Sequence, residues 1–352
     1  MPVGIEFGID NPLLSAVSGL LFDPSCYLFP VFFGQRFKNP IPFYFYFVLP
    51  TMAATTTVTV PHMGGIKVGY RLSSPSGSID KTKPTVVLIN SMCTTVSLFD
   101  DQFSNEELTS AVNLLAIEPL GHGSTFALKR ENFTYWDTAE MALQVMDALG
   151  VEKAFALGTS QGGWMVVRMA LLAPERILGL LPLGTSMDSE SAYSRTQGSW
   201  DPAAVLTPFL EKWSVSESTP DFVVDQQWRG MVTGLGFGAA PKPELLAFWD
   251  ETLKQVYVGD EGRKKVRMAL TNLLERDGLL LRLRHIRCPV YWLQGEQDPV
   301  FGVKLPAEHI KLFTSSPEAT LTLVPGGGHF LNATSPREVQ EALLRMVSKY
   351  SA

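Results

Sequence analysis

The sequence predicts one doubly wound α/β domain, a mostly parallel sheet of eight strands, with a helical lid inserted between two of them. Three observations lead to this reading. Short, solidly apolar runs such as Thr85–Ile89, Val112–Ile117, Ala154–Leu157 and Ile177–Leu183 look like strands buried on both faces, as in parallel sheets. Helix-period segments, notably Tyr135–Leu149 and Gly163–Ala173, lie between them, the alternation expected of βαβ crossovers. That rhythm stops near Ser186 and returns only at Pro289–Leu293.

In chain order, Thr57–Val60 and Ile66–Leu72 alternate apolar and polar residues across a Gly64-Gly65 turn, which predicts a hairpin. The four apolar runs follow as internal strands. Residues 187–274 are helical in composition, broken by Gly234, Gly236, Gly238, Pro241 and Pro243, and form the expected lid. They carry Trp200, Phe209, Trp213, Phe222, Trp228, Phe237, Phe248, Trp249 and Tyr257, a density that suits the packing of a small helical unit, with some rings left to line a cleft. Strands at Pro289–Leu293 and Ala319–Val324 and a last amphipathic helix, Arg337–Tyr350, complete a core made of residues 52–186 and 275–352.

Residues 1–51 differ from the rest: rich in Phe, Tyr and Pro, poor in charge, with no sustained period of two or of 3.6. The apolar run Ile41–Leu49 is too short to cross a bilayer, and Glu6 and Asp10 stand where a secretory signal would carry basic residues. The segment is expected to be an extension outside the core, without regular structure, or residues that are not part of the natural protein, with a membrane anchor as the second reading.

Composition narrows the function. A net charge of −6 over 352 residues, with no Lys/Arg cluster, argues against a nucleic-acid partner or an anionic membrane. Cys26, Cys93 and Cys288 have unrelated spacings that fit neither a disulfide framework nor a zinc site, which points to a reducing, cytoplasmic setting. The expected partner is a small-molecule substrate and no cofactor is expected; oligomeric state is not legible.

The chemistry centres on Gly158-Thr-Ser160-Gln-Gly162-Gly163, which joins the strand ending at Leu157 to the helix that follows. Gly158 and Gly162 permit a sharp turn that lifts Ser160 above the sheet edge and aims the backbone N–H of Gln161 into the site. A serine hydroxyl needs a base within hydrogen-bond reach. Of the five histidines, His62 lies in the hairpin, His285 among arginines before a strand, His309 within a helix, and His122 in a Gly-His-Gly loop suited to bracing. His329, in the glycine-rich loop after the last strand, is the candidate base. Asp298, at the end of the preceding strand, is the candidate carboxylate that orients it, with Glu296 the competitor two residues earlier. Cys93 reads as a small buried filler, since no basic residue near it in sequence would lower its pKa.

With these residues in view, the sequence resembles the α/β-hydrolase superfamily over Val58–Val347, in its serine-nucleophile branch. The order Ser160, Asp298, His329 matches that fold. Thr85–Met92 is similar to the family's strand and oxyanion loop, and Ile117–Ser124 to its next strand and loop. The resemblance implies an oxyanion hole built from the backbone N–H groups of Gln161 and Met92, although Asn90-Ser91 stand where the family usually has His-Gly. It further implies a hydrolase that cleaves an ester, thioester or related activated carbonyl of a small apolar or polyketide-like molecule through an acyl-enzyme. Alternatives are an acyltransferase using the same triad, a carbon–carbon bond hydrolase, and a ligand-binding receptor with vestigial activity. The elbow is also similar to those of fungal hydrolases of secondary metabolism.

Overall fold

The computed structural model describes residues 52–238 and 241–351, with the backbone of two short segments before them. The chain divides into two units, Met1–Thr51 and Met52–Ala352. In the first, β1 (Cys26–Pro30) and β2 (Tyr44–Val48) pair antiparallel as a two-stranded sheet. The rest of the proposed extension, including most of the stretch expected to lack regular structure, lies outside the described residues.

The second unit is built on one sheet: β3 (Thr56–Val60), β4 (Ile66–Leu72), β5 (Thr85–Ile89), β6 (Asn113–Ile117), β7 (Phe126–Ala127), β8 (Ala154–Thr159), β9 (Ile177–Leu183), β10 (Val290–Gly295) and β11 (Ala319–Val324). Eight strands run in the order β11-β10-β9-β8-β5-β6-β4-β3, and the two-residue β7 pairs with β4 off that path. β5, β6, β8, β9, β10 and β11 are mutually parallel, while β4 is antiparallel to both β3 and β6. β7 was not anticipated, because two residues carry no periodicity to read.

Burial explains why the inner strands are continuously apolar. Val87 and Ile89 of β5, with Ala154 and Ala156 of β8, belong to the core beneath the helices Tyr135–Ala148 and Gln161–Leu172. Val86 and Leu88, with Phe155 and Leu157, point the other way, into a core closed by the helix Pro336–Tyr350. Successive side chains face opposite sides of a strand, so a sheet covered on both faces requires apolar residues at every position. The helix Tyr135–Ala148 begins with a capping box: the Asp137 carboxylate accepts from the Thr134 N–H at 2.7 Å, and the Thr134 hydroxyl accepts from the Asp137 N–H at 3.3 Å.

Among the described residues between β9 and β10 the chain forms five α-helices, Ala192–Thr196, Pro202–Trp213, Gln226–Phe237, Pro243–Val256 and Gly259–Glu275. Their aromatic residues mostly pack on one another. Trp228 meets Phe209 and Trp213 edge-on at centroid distances of 5.1 and 5.3 Å, and Phe237 stands against Trp249 at 5.9 Å and Phe330 of the core at 5.2 Å. The insertion thus has its own apolar centre and also rests on the loop after β11.

Candidate active site

The turn after β8 is dictated by close approach. Ser160 has φ +54° and ψ −120°, a conformation that costs an L-residue on the order of 1–3 kcal/mol and persists only when its surroundings hold it. They do: the Ser160 N–H donates to Leu183 O of β9 at 2.9 Å, and its carbonyl accepts from the Gly163 N–H at 2.8 Å. A Cβ on Gly158 would lie 2.1 Å from the Gly162 carbonyl oxygen, and one on Gly162 would lie 2.2 Å from that of Ile89. Larger residues at either position would push the serine off the sheet. The following helix starts at Gln161, two residues earlier than its periodicity suggests, because Ser160 itself supplies the non-helical entry.

The structure brings Ser160, His329 and Asp298 together. Ser160 Oγ is 2.9 Å from His329 Nε2, and His329 Nδ1 is 3.0 Å from Asp298 Oδ2. All three are at least nine-tenths buried. Asp298 Oδ1 accepts from the backbone N–H groups of Val300 and Phe301 at 2.8 and 3.2 Å, and Oδ2 accepts from Gln294 Nε2 at 2.7 Å. A carboxylate so surrounded is pointed at the imidazole, and its contact with Nδ1 leaves Nε2 facing the serine hydroxyl to accept its proton. Glu296 is exposed and takes no part in this arrangement.

The other four histidines are occupied elsewhere. His62 Nε2 meets Asp137 at 2.8 Å, His285 is exposed beside Arg284, and His309 Nδ1 accepts from the Met187 N–H at 3.2 Å. His122 is buried beneath the site: its Nδ1–H donates to Leu120 O at 2.9 Å, and Nε2 accepts from the Gln161 side-chain amide at 2.9 Å. The amide oxygen of Gln161 accepts in turn from the Tyr135 hydroxyl at 3.1 Å. Burial pushes the His122 imidazole down to about 4, so it stays neutral and braces the residue next to the serine. Cys93 is buried against Tyr257 and Trp228, and desolvation raises its thiol to about 12, which leaves almost no thiolate at neutral pH.

Met92 and Gln161, the residues expected to contribute the oxyanion donors, both line the pocket beside Ser160. The turn carrying Met92 is stapled by Asn90, whose side-chain amide donates to Thr94 O at 2.8 Å and Ser91 O at 3.2 Å. Asn90 therefore does for this loop what its departure from the family pattern left open: it holds the turn from beneath.

The pocket has about 470 Å³ of space, counted out to its open mouth. Its floor is Ser160, His329 and Tyr135; its walls include Trp164, Val300, Phe301 and Phe330 from the core; and Trp200, Met231, Val232, Leu235 and Leu273 descend from the insertion. Among the described residues no group of His, Cys, Asp and Glu is placed to hold a metal ion, and no helix is long and apolar enough to cross a membrane. Sequence reasoning missed Gln294, which sits one turn of chain before Asp298, and Arg276, which reaches the pocket from the end of the helix Gly259–Glu275.

A parallel sheet in this strand order, a strained serine between strand and helix, and a histidine and an aspartate on the loops after β11 and β10 give the chain the α/β-hydrolase fold. The family described as alpha/beta hydrolase fold matches residues 84–206. The dihydrolipoyllysine-residue acetyltransferase component of the acetoin cleaving system of Pseudomonas putida is 24% identical over 249 residues, 70% of this chain and 60% of that protein. A probable 1-acylglycerol-3-phosphate O-acyltransferase of Oryza sativa subsp. japonica is 24% identical over 302 residues, 77% of this chain and 69% of that protein. The chain thus spans about three fifths of the length of the first relative and just over two thirds of the second. Among solved structures, a hydrolase from Pseudomonas aeruginosa PA01 superposes with a TM-score of 0.63 at 24% identity, covering 83% of this chain and 98% of that one. The enol-lactonase from Burkholderia xenovorans LB400 superposes with a TM-score of 0.64 at 18% identity, covering 83% and 100%.

Proposed function

We propose that this protein is a serine hydrolase that cleaves the ester, thioester or related activated carbonyl of a small, largely apolar molecule through an acyl-enzyme on Ser160. The observation that carries this reading is the buried relay from Ser160 Oγ to His329 at 2.9 Å and on to Asp298 at 3.0 Å, opening into an apolar pocket.

The mechanism follows from the positions of the groups. Ser160 attacks the carbonyl carbon as His329 Nε2 takes its proton; Asp298, acceptor of the Nδ1–H, stabilises the imidazolium that forms. The negative oxygen of the tetrahedral intermediate sits against the backbone N–H groups of Gln161 and Met92, with the positive end of the helix Gln161–Leu172 behind them. The imidazolium gives its proton to the leaving group, and the neutral imidazole then activates water to release the acid. His122 and Tyr135 act at one remove, fixing the Gln161 side chain and with it the first turn of that helix.

Acyl transfer to an alcohol or thiol uses the same acyl-enzyme. It is the second reading, and it is supported by the two acyltransferase-named relatives. A ligand-binding receptor would keep this geometry without turnover. Treatment with a fluorophosphonate probe separates the classes: an enzyme is labelled rapidly and stoichiometrically at Ser160, and Ser160→Ala is not. Product analysis with and without an added alcohol then divides hydrolysis from transfer. A wild-type protein that resists labelling at millimolar probe would overturn the enzyme reading.

A further inference from the structure

Arg276 stands out in the pocket. It is the one Lys or Arg that lines it among the described residues, in a lining that beyond Ser91, Ser160, Gln161 and His329 is apolar or aromatic. Its side chain is 2% exposed and its partner Glu190 is 1% exposed, so both charges of the pair are withdrawn from water. One terminal nitrogen bonds Glu190, the other bonds Leu273 O, and the guanidinium carbon lies 4.4 Å from the centre of the Trp164 ring. The third nitrogen, Nε, has no partner for its N–H. Trp164, one turn along the helix from Ser160 and itself a pocket wall, likewise has its indole Nε1–H unpartnered.

A buried ion pair is an expensive way to stabilise a fold, since apolar residues of similar volume often serve as well or better. Here the pair is also held by strain: Glu190 has φ +51°, and its carbonyl accepts from Arg195 at 2.6 Å. Unpartnered buried donors at a strained site next to a catalytic centre are the pattern expected where a ligand completes the hydrogen bonding.

We propose that Arg276, with Trp164 beside it, is the specificity-determining group of this pocket, and that it recognises an uncharged oxygen acceptor, such as a second carbonyl, on an otherwise apolar substrate. Glu190 already balances the guanidinium, so an incoming carboxylate would be a second anion beside a cation whose charge is spent. A neutral carbonyl needs only the free N–H. The substrate class is therefore an apolar ester or thioester carrying a ketone, lactone or amide oxygen a few atoms beyond the scissile carbonyl. This inference rests on Ser160 being the nucleophile.

The test uses p-nitrophenyl esters of straight-chain acids in matched sets: unsubstituted, carrying a ketone at carbon 5, 6 or 7, and ending in a carboxylate. The wild-type protein should prefer the oxo ester of the right length over its unsubstituted counterpart by about 10- to 100-fold in kcat/KM, the size of a hydrogen bond from a charged donor. The carboxylate series should be worse than either. In the double variant Arg276→Met/Glu190→Gln, which leaves no buried charge unpaired, the preference should fall to within about threefold of unity. Equal rates on oxo and unsubstituted esters by the wild type at every position, a preference for the carboxylate, or a folded double variant that keeps the preference would each overturn the proposal. Those outcomes all require turnover. A wild-type protein that hydrolyses no ester in the panel and takes no fluorophosphonate at Ser160 overturns the hydrolase reading itself, a distinguishable result.

Discussion

Gln294 donates its side-chain amide to Asp298 Oδ2 at 2.7 Å, the same oxygen that receives His329 Nδ1 at 3.0 Å. Its own amide oxygen is held by the Thr185 N–H at 3.3 Å. Gln294 is thus a positioning residue that clamps the carboxylate from the side opposite the backbone N–H groups of Val300 and Phe301. Gln294→Leu should lower kcat by about 10-fold with KM little changed, because the loss falls on the orientation of the relay. Gln294→Glu should cost more, about 100-fold or above, since it sets a second carboxyl against Asp298. Steady-state kinetics on one activated ester decide it; a change in KM alone would mean that Gln294 shapes the pocket instead.

Asp298 and Glu296 lie two residues apart and only Asp298 faces the imidazole. Asp298→Asn should reduce kcat by about 10⁴, as loss of the correct tautomer does in such relays, while Glu296→Gln should stay within twofold. The pair of rate measurements distinguishes them without any knowledge of the natural substrate.

His122 makes stability depend on pH. Burial lowers its folded pKa to about 4, against about 6.5 for an unfolded histidine. The unfolded chain therefore binds more protons between those values, so this contribution is fully present above about pH 6.5 and is lost as the pH falls toward 4, by at most about 3 kcal/mol. Protonation would also end the acceptance of the Gln161 amide by Nε2. Melting temperatures of the wild type and His122→Asn should converge as the pH drops from 7 to 5; parallel curves would assign the acid sensitivity to other groups.

The fold was readable because a sheet buried on both faces leaves runs such as Thr85–Ile89 and Ala154–Leu157 with no polar side to hide, and the gap between Leu183 and Val290 interrupts that pattern over a length that only an insertion fills. His329 emerged by elimination and Asp298 by its place after β10, both local properties of the chain. Gln294 and Arg276 were not readable. Gln294 is one more residue of an apolar strand until its contact with Asp298 is known, and Arg276 meets Glu190, 86 positions away, only once the insertion has folded. The aromatic residues of the insertion were expected mainly to pack, and most do, with Trp200 turned to the pocket.

Met1–Thr51 and Met52–Ala352 are two units, and the pocket-lining side chains among the described residues all belong to the second. A protein beginning at Met52 is expected to fold and to keep full activity, with a melting temperature within a few degrees of the longer chain. The cut should go no further, because the Ala53 N–H donates to Ser97 Oγ at 2.8 Å, in the short 3-10 helix Val96–Phe99 that follows the Met92 turn. Aggregation of the Met52 form, or loss of its activity, would show that the preceding segment covers the core or the pocket.

Acyl-enzyme formation on Ser160 tests the central claim most directly. The protein is mixed with excess p-nitrophenyl butyrate, followed over the first turnover, quenched in acid and digested for mass spectrometry. The account predicts a burst of p-nitrophenol equal to the enzyme present and a butyryl group on the peptide that contains Ser160. Both should be absent from a folded Ser160→Ala, whose turnover falls by about 10⁴ or more. A Ser160→Ala protein that keeps a tenth of wild-type activity, or an acyl group found on any other residue, would contradict it.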